Sequence, residues 1–471
     1  MSVKMTLQLR DLKDRIAESG PGPLEGNQLE PGARRLLRML EHGAGFDPGQ
    51  EVCLGFVPGR VEIFGRHTDY AGGRSLVCAI ERGFLFESVP GKDRVVSLSE
   101  DSAEFSPVEF PLSVEIAPPQ GLWANYPMTM ARRLALNFGE QSLQGVHIVF
   151  SSSMPVGSGM SGSSALMMMV FTALAAANRL GETTPFKGSI RTPLDLSVYL
   201  ACAENGQGFH ELAGDKGVGT FGGSEDHAAI LNGRKGIASL FSFNPLALQA
   251  EIALPSDWQL VVAFSGVRAE KTREALEKYN LVSLRARAAV QRYNGIFRTG
   301  FAALSEVADH VTEVGGQAAL DALDRDSKGP PGLGDRVRQF IREDRVLIPK
   351  AVGALRAADL SAFGQALSES HRASADWLWN IAPEIDFLQY SAIKAGAAGA
   401  SGFGAGFGGS IVAAVRSDTA GGFLQAWRDG YLRRFPERAA EAAFFLASPC
   451  PGIQVWRDSG PARLADILFQ S

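Results

Sequence analysis

Between Gly59 and Gly73 the chain reads GRVEIFGRHTDYAGG, a polar, turn-rich segment carrying two arginines, a histidine and an aspartate and closed by a Gly-Gly pair. Polar residues this dense between apolar stretches rarely serve packing alone. A second concentration is Gly157-Ser-Gly159-Met-Ser-Gly162, followed by Ser163 and Ser164. Glycines let backbone N–H groups converge on an anion, and a helix N-terminus adds positive potential. Ser161, Ser163 and Ser164 add hydroxyls for a phosphate or Mg²⁺, although a tight loop whose serines cap a helix would use the same residues. The phosphate reading is not that of a P-loop NTPase, because GxxxxGK[ST] is absent. A dinucleotide turn also fits poorly. Ser151 to Val156, with Pro155, separates the preceding strand from the glycines, although Glu182 lies at the expected spacing. The second GxGxxG, Gly404 to Gly409, runs into a strand-like SIVAAV rather than a helix.

These residues need a scaffold, and 471 residues allow two or three domains with large cores. Hydrophobic residues at 45% and charged residues at 21% fit an ordinary globular chain, and the net charge of −5 argues against nucleic-acid binding. The cysteines, Cys53, Cys78, Cys202 and Cys450, have no CxxC spacing and read as reduced thiols of a cytoplasmic protein. The N-terminal stretch is charged every few residues, so it reads as a short amphipathic helix, not a signal peptide. A second helix is expected at ARRLLRMLEHG. The longest apolar run, ALMMMVFTALAAANRL, is too short to span a bilayer.

Short strand-like runs start at residue 51, and GVHIVFSSS precedes the first glycine cluster. Ser163 to Leu180 reads as a buried helix ended by Gly181, and LDLSVYLACAENG as a second helix. The pattern restarts near 250 with the strand-like WQLVVAFSGV and a long basic helix from Arg268 to about Arg298. Helical stretches continue to about 397, broken by the loop SKGPPGLGD, and the strand-like GIQVWR lies near the end. The expected organisation is an N-terminal helical extension (1–45) and two α+β domains (46–250 and 251–471).

Three motifs together resemble the GHMP kinases and, within them, the galactokinases. VPGRVEIFGRHTDYAGG is similar to the galactokinase signature, MPVGSGMSGSSA to the family's ATP loop, and GASGFGAGFGGSIVAAV to its C-terminal Gly-rich motif, in the family's order. The resemblance implies the two-domain GHMP α+β fold, with the active site in the interdomain cleft. It also implies ATP and Mg²⁺ dependence, and phosphorylation of a galactose-like sugar at its anomeric hydroxyl. A catalytically silent sugar and nucleotide sensor on the same fold is the alternative. No nucleic-acid or membrane partner is expected, and a monomer is favoured.

Residue by residue, the resemblance makes Asp226, in Gly223-Ser-Glu-Asp226-His227, the base toward the sugar hydroxyl, and Arg60 the active-site arginine beside it. His227 stands where the family keeps glutamine. The nucleotide would be held by Gly157, Gly159, Ser161, Gly162, Ser163 and Ser164. Mg²⁺ would take Ser163 and Glu204, with Ser161 and Glu211 as competitors. Asp69, His67, Gly223 and Tyr279 are the expected sugar contacts, together with Arg66, where galactokinases carry a glutamate. An arginine only donates. It would therefore suit a carboxylate at the sugar's sixth carbon, as in galacturonate. Alternatively, Arg66 turns away to solvent or pairs with a nearby acid such as Glu62, and another group holds the sixth carbon.

Overall fold

Strand geometry runs through the polar signature instead of stopping before it. The computed structural model describes residues 5, 7–8, 51–101, 104–268, 273–314, 316–325, 329–457 and 460–469, without the side chains of 273–279. Of the two helices expected before residue 50, ARRLLRMLEHG lies outside these residues. The N-terminal one is described only at Met5 and Leu7–Gln8, and there Leu7–Gln8 is strand, not helix, because it pairs with the next strand. A short β1 (Leu7–Gln8) pairs with β2 (Glu51–Phe64), which pairs antiparallel with β3 (Arg74–Pro90). So 59–64, expected within a turn-rich segment, are strand, and only 65–73 turn the chain. Register shifts at Pro58/Gly59 and between Glu62 and Phe64 re-aim the strand as it reaches the signature. Period-two alternation sends Val61 and Ile63 into the core while Arg60 and Glu62 share the opposite face.

The same sheet adds β4 (Val95–Glu100), β5 (Val108–Pro111), β6 (Val146–Ser152), β7 (Ile237–Ser242) and β8 (Ala247–Ala253). The buried helix observed is Gly162–Asn178, which packs on β2, β3 and β6; every residue from Ser164 to Ala176 is buried. Apolar on all sides, it can exist only inside a core. Pro193–Asn205 follows, started by a capping box between Thr192 and Asp195 and ended by left-handed Gly206.

A second sheet holds β9 (Trp258–Phe264), β10 (Gly399–Gly402), β11 (Ser410–Arg416) and β12 (Ala443–Ala447) in the order β10-β11-β9-β12. Between β9 and β10 lies a helical block that includes Arg273–Phe297, Leu333–Phe340 and Leu360–Ala373. It contains two π-helical turns, Ile341–Leu347 and Ser374–Leu378, which the sequence did not announce. Sheet membership changes between Ala253 and Trp258. The last strands, β13 (Gln454–Arg457) and β14 (Gly460–Arg463), return to the first sheet beside β2. A cut at 250 therefore leaves these strands on the side opposite to their sheet. Among the described residues no helix is long and apolar enough to cross a membrane.

Candidate active site

A cavity of about 490 Å³ opens where the two sheets meet. β2 lines it with Arg60 and Glu62, the signature turn with His67, Asp69 and Tyr70, and the glycine loop with Gly157 to Gly159 and Ser161 to Ser164. Glu204, Gly223, Glu225, Asp226 and His227 complete the near wall, and Arg268, Gly404 and Ala405 come from the far side.

Arg60 is the hub. Its guanidinium forks onto Asp226 Oδ1, with Nε and Nη2 each at 2.9 Å, and its Nη1 donates to the Gly159 carbonyl at 2.6 Å. Glu225 Oε1 lies 3.4 Å from Nε. Burial alone would push the Arg60 pKa down, but Asp226, Glu225 and Glu62 outweigh it and hold its proton more tightly than in a free arginine. The Asp226 side chain keeps 32% exposure toward the cavity, so the carboxylate is both oriented and reachable. Its Oδ2 accepts from Ser164 Oγ at 3.4 Å; the same hydroxyl reaches Glu204 Oε2 at 2.7 Å. His227 sets Nε2 3.2 Å from Glu204, at ion-pair distance but without hydrogen-bond alignment.

The glycine loop has the backbone expected of an anion cradle. Gly157, Gly159 and Ser161 all adopt positive φ, at 69°, 75° and 62°, before the helix starts at Gly162. The other Gly-rich cluster braces it: a Cβ on Gly404 would stand 2.8 Å from the Gly159 carbonyl, and Ser410 Oγ donates to Ser158 O at 2.7 Å. Ser161 does not cap the helix with its side chain; its Oγ is buried without a partner among the described residues. Ser161, Ser163 and Glu204 offer the oxygen donors a hard cation such as Mg²⁺ accepts beside nucleotide phosphates, so the donor set fits. The competing Glu211 is exposed and stands outside the cavity lining.

At the signature turn, His67 takes the unusual φ of 56°. Its Nδ1 meets Tyr70 Oη at 2.9 Å and its Nε2 lies 3.2 Å from Ala405 O. Burial, reinforced by Arg336 and Arg66, lowers its pKa to about 3, so the ring is neutral. Burial also raises the Asp69 pKa, and Asp226 adds to this. Gly223 must be glycine here, since a Cβ would fall 2.2 Å from Asp69 Oδ2. Tyr279 belongs to the helix Arg273–Phe297, but its side chain lies outside what is described; the next residue, Asn280, ties that helix to Gly219 O at 3.3 Å.

Arg66 departs from expectation. Only 2% exposed, it stands outside the cavity lining, with Nη2 against Gly402. Nε and Nη1 are buried without hydrogen-bond partners among the described residues. Burial lowers its pKa, with Glu62 and Glu343 opposing. The turn therefore directs Arg66 into the protein wall, and a cation reaching for the sugar's sixth carbon is not what this geometry provides. Glu62 lines the cavity instead; burial raises its pKa to about 7 against the pull of Arg60 and Arg66.

Several site residues escaped the sequence reading. Glu62 could have been found from strand alternation with Arg60, and Tyr70 from its place next to Asp69. Arg336, Gln339 and Glu343 gave no signal. From the helical block they bind the backbone of His67, Arg66 and Gly65: Arg336 donates to His67 O, Gln339 to Arg66 O at 3.1 Å, and Gly65 N–H donates to Glu343 at 2.9 Å. At the other end of the cavity, Phe105, Trp123, Tyr126 and Phe150 form an aromatic wall, with Phe105 and Trp123 centroids 5.3 Å apart.

Comparison with known proteins agrees with this layout. The galactokinase galactose-binding signature matches residues 42–87, the GHMP kinase N-terminal domain 125–188, and the GHMP kinase C-terminal domain 351–432. A galactokinase of Clostridium beijerinckii is 28% identical over 399 residues, covering 84% of this chain and 93% of that protein. One from Chloroflexus aggregans is 29% identical over 382 residues, covering 80% and 87%. The crystal structure of Lactococcus lactis galactokinase complexed with galactose superposes with a TM-score of 0.72 at 26% identity, covering 91% of this chain and all of that one. With three motif regions in family order and one shared fold, the chain is a galactokinase-like member of the GHMP kinases.

Proposed function

We propose that the protein is an ATP-dependent sugar kinase that phosphorylates the anomeric hydroxyl of galactose, with Asp226 and Arg60 as its catalytic pair. The observation that carries the reading is the fork of Arg60 on Asp226, tied by the same guanidinium to the glycine loop at Gly159. A carboxylate so oriented can take the hydroxyl proton as the sugar oxygen attacks the γ-phosphorus. The neighbouring cation orients the carboxylate and stabilises charge on the phosphoryl group in flight. A silent sensor would have no use for that pair.

Backbone N–H groups of 157–164 and the N-terminus of the helix Gly162–Asn178 would hold the phosphates. The aromatic wall of Trp123 and its neighbours suits the adenine ring. Mg²⁺ would be held by Ser163 and Glu204, with Ser161 at hand, and would neutralise phosphate charge when bound. Asp69 and neutral His67 offer sugar contacts, and Gly223 leaves Asp69 its space. The superposition on a galactose complex and the burial of Arg66 away from the cavity both favour galactose over galacturonate.

The test is ADP release from Mg-ATP by purified protein. Galactose, galacturonate, N-acetylgalactosamine, arabinose and fucose are offered at equal concentration, and phosphorus NMR of the product locates the new ester. Turnover on galactose with a 1-phosphate product is expected. Binding of ATP with no turnover on any sugar would overturn the reading.

A further inference from the structure

We propose that Glu62 is a sugar-reading residue, supplying the carboxylate acceptor for a substrate hydroxyl that Arg66, buried behind the cavity, does not supply. This rests on the kinase reading above. Four carboxylates line the sugar side: Glu62, Asp69, Glu225 and Asp226. Asp226 is held by Arg60, and Glu225 by Ser75 Oγ at 2.6 Å and by Arg60. Asp69 already accepts the Glu225 N–H at 3.5 Å. Glu62 is different. It is 5% exposed, and its Oε1 is buried with no hydrogen-bond partner among the described residues.

A buried carboxylate oxygen without a donor is costly, and the protein normally provides one. Here the strand aims Glu62 to the same side as Arg60, into the space a ligand would fill. The nearest cations are Arg60 and Arg66, and Arg66 itself keeps two unpaired nitrogens. Together they oppose the burial that disfavours the Glu62 charge, without occupying its oxygen. A galactose-like sugar brings donors only as hydroxyls, so a hydroxyl is the group that completes the site. The acid of the signature thus stands at 62, on the strand, and the arginine at 66 balances it from behind.

A site built to bond a hydroxyl rejects the analogue that lacks it. The experiment measures kcat/KM for galactose and for its 2-, 3-, 4- and 6-deoxy analogues in the parent and in Glu62→Ala. Glu62→Gln serves as a variant of unchanged shape, and unfolding midpoints are recorded for all three proteins. In the parent, one analogue should be penalised at least about tenfold more than it is in Glu62→Ala, with KM for ATP unchanged; Glu62→Gln should fall between. The analogue whose penalty collapses names the hydroxyl. A structural role alone would slow all five sugars in proportion. Unchanged ratios in both variants of an active parent would overturn the assignment of Glu62 while leaving the kinase standing. A parent inactive on every sugar would overturn the kinase reading and this assignment with it.

Discussion

The glycine loop and the signature turn face each other across one cavity, yet they are held in shape by different means. The loop is built from backbone. Its conformation follows from glycines at positive φ, one neighbouring Gly-rich strand connection and the helix that starts at Gly162. The signature turn is built from side chains, and most of what holds it is far away in sequence. Arg336, Gln339 and Glu343 clamp three successive residues of it from a helix and an adjoining π-helical turn. A backbone cradle suits phosphate, whose oxygens are alike. A sugar must be told apart by the direction of each hydroxyl, and that needs placed side chains.

Arg60 and Asp226 join the two regions, so breaking them should give the largest effect. Asp226→Asn should lower kcat by about 10²–10⁴-fold, the usual loss for a general base. Galactose and ATP should still bind, which calorimetry on the variant would check. Activity within a few-fold of the parent would remove Asp226 from the role of base.

A pair of glycine substitutions sharpens the comparison. In Gly404→Ala, at φ 75° and 2.8 Å from the Gly159 carbonyl, the new methyl strains its own backbone and pushes the phosphate loop. KM for ATP should rise roughly tenfold, from about 1–2 kcal/mol of strain, with KM for galactose changing less. Gly223→Ala, which drives a methyl onto Asp69, should do the reverse. Steady-state kinetics with each substrate varied in turn would decide. If both variants raise the same KM, the two regions are not independent.

The same contrast explains what the sequence disclosed. The loop was legible because its chemistry is local: glycines, serines and an apolar helix are contiguous from 157 to 178. The motif GRHTDY was legible as a polar cluster, but its directions were not. Whether residue 66 points into the cavity depends on Gly65 at φ 116° and on the three clamp residues some 270 positions later. Nothing in the pattern of 333–347 distinguishes those from ordinary helix positions. Likewise Glu62 was visible as an acid, but its exposure to the cavity follows from the bulges in β2. The return of β13 beside β2 is a non-local pairing that a strand-like pattern cannot assign to either sheet.

Removing the clamp tests whether the signature turn depends on it. Arg336→Met deletes a fully buried guanidinium that donates to His67 O and, at 2.6 Å, to Gln339. Leaving those acceptors unpaired should cost about 1–3 kcal/mol of stability, offset in part because a desolvated cation also goes. KM for galactose should rise while KM for ATP holds. Equal changes in both would mean that the helical block stabilises the whole protein and does not specifically order the turn.

The smallest effect concerns pH and isolates one residue of the turn. His67 is buried neutral, with its pKa lowered from its ordinary 6.5 to about 3. An unfolded chain therefore takes up a proton at this residue below pH 6.5 that the folded chain refuses. The stability linked to His67 is fully present above 6.5 and is lost as pH falls toward 3. Glu62 works in the opposite sense: with its pKa raised from 4.5 to about 7, its contribution is present below 4.5 and lost as pH rises through 7. The wild-type slope between pH 6.5 and 5.5 mixes the two, but comparison with His67→Gln cancels what they share. Denaturant unfolding over that interval should show the wild type losing roughly 1 kcal/mol relative to the variant. Parallel curves would show that the imidazole is reached by protons in the folded state, and that the clamp leaves this side of the turn open to water.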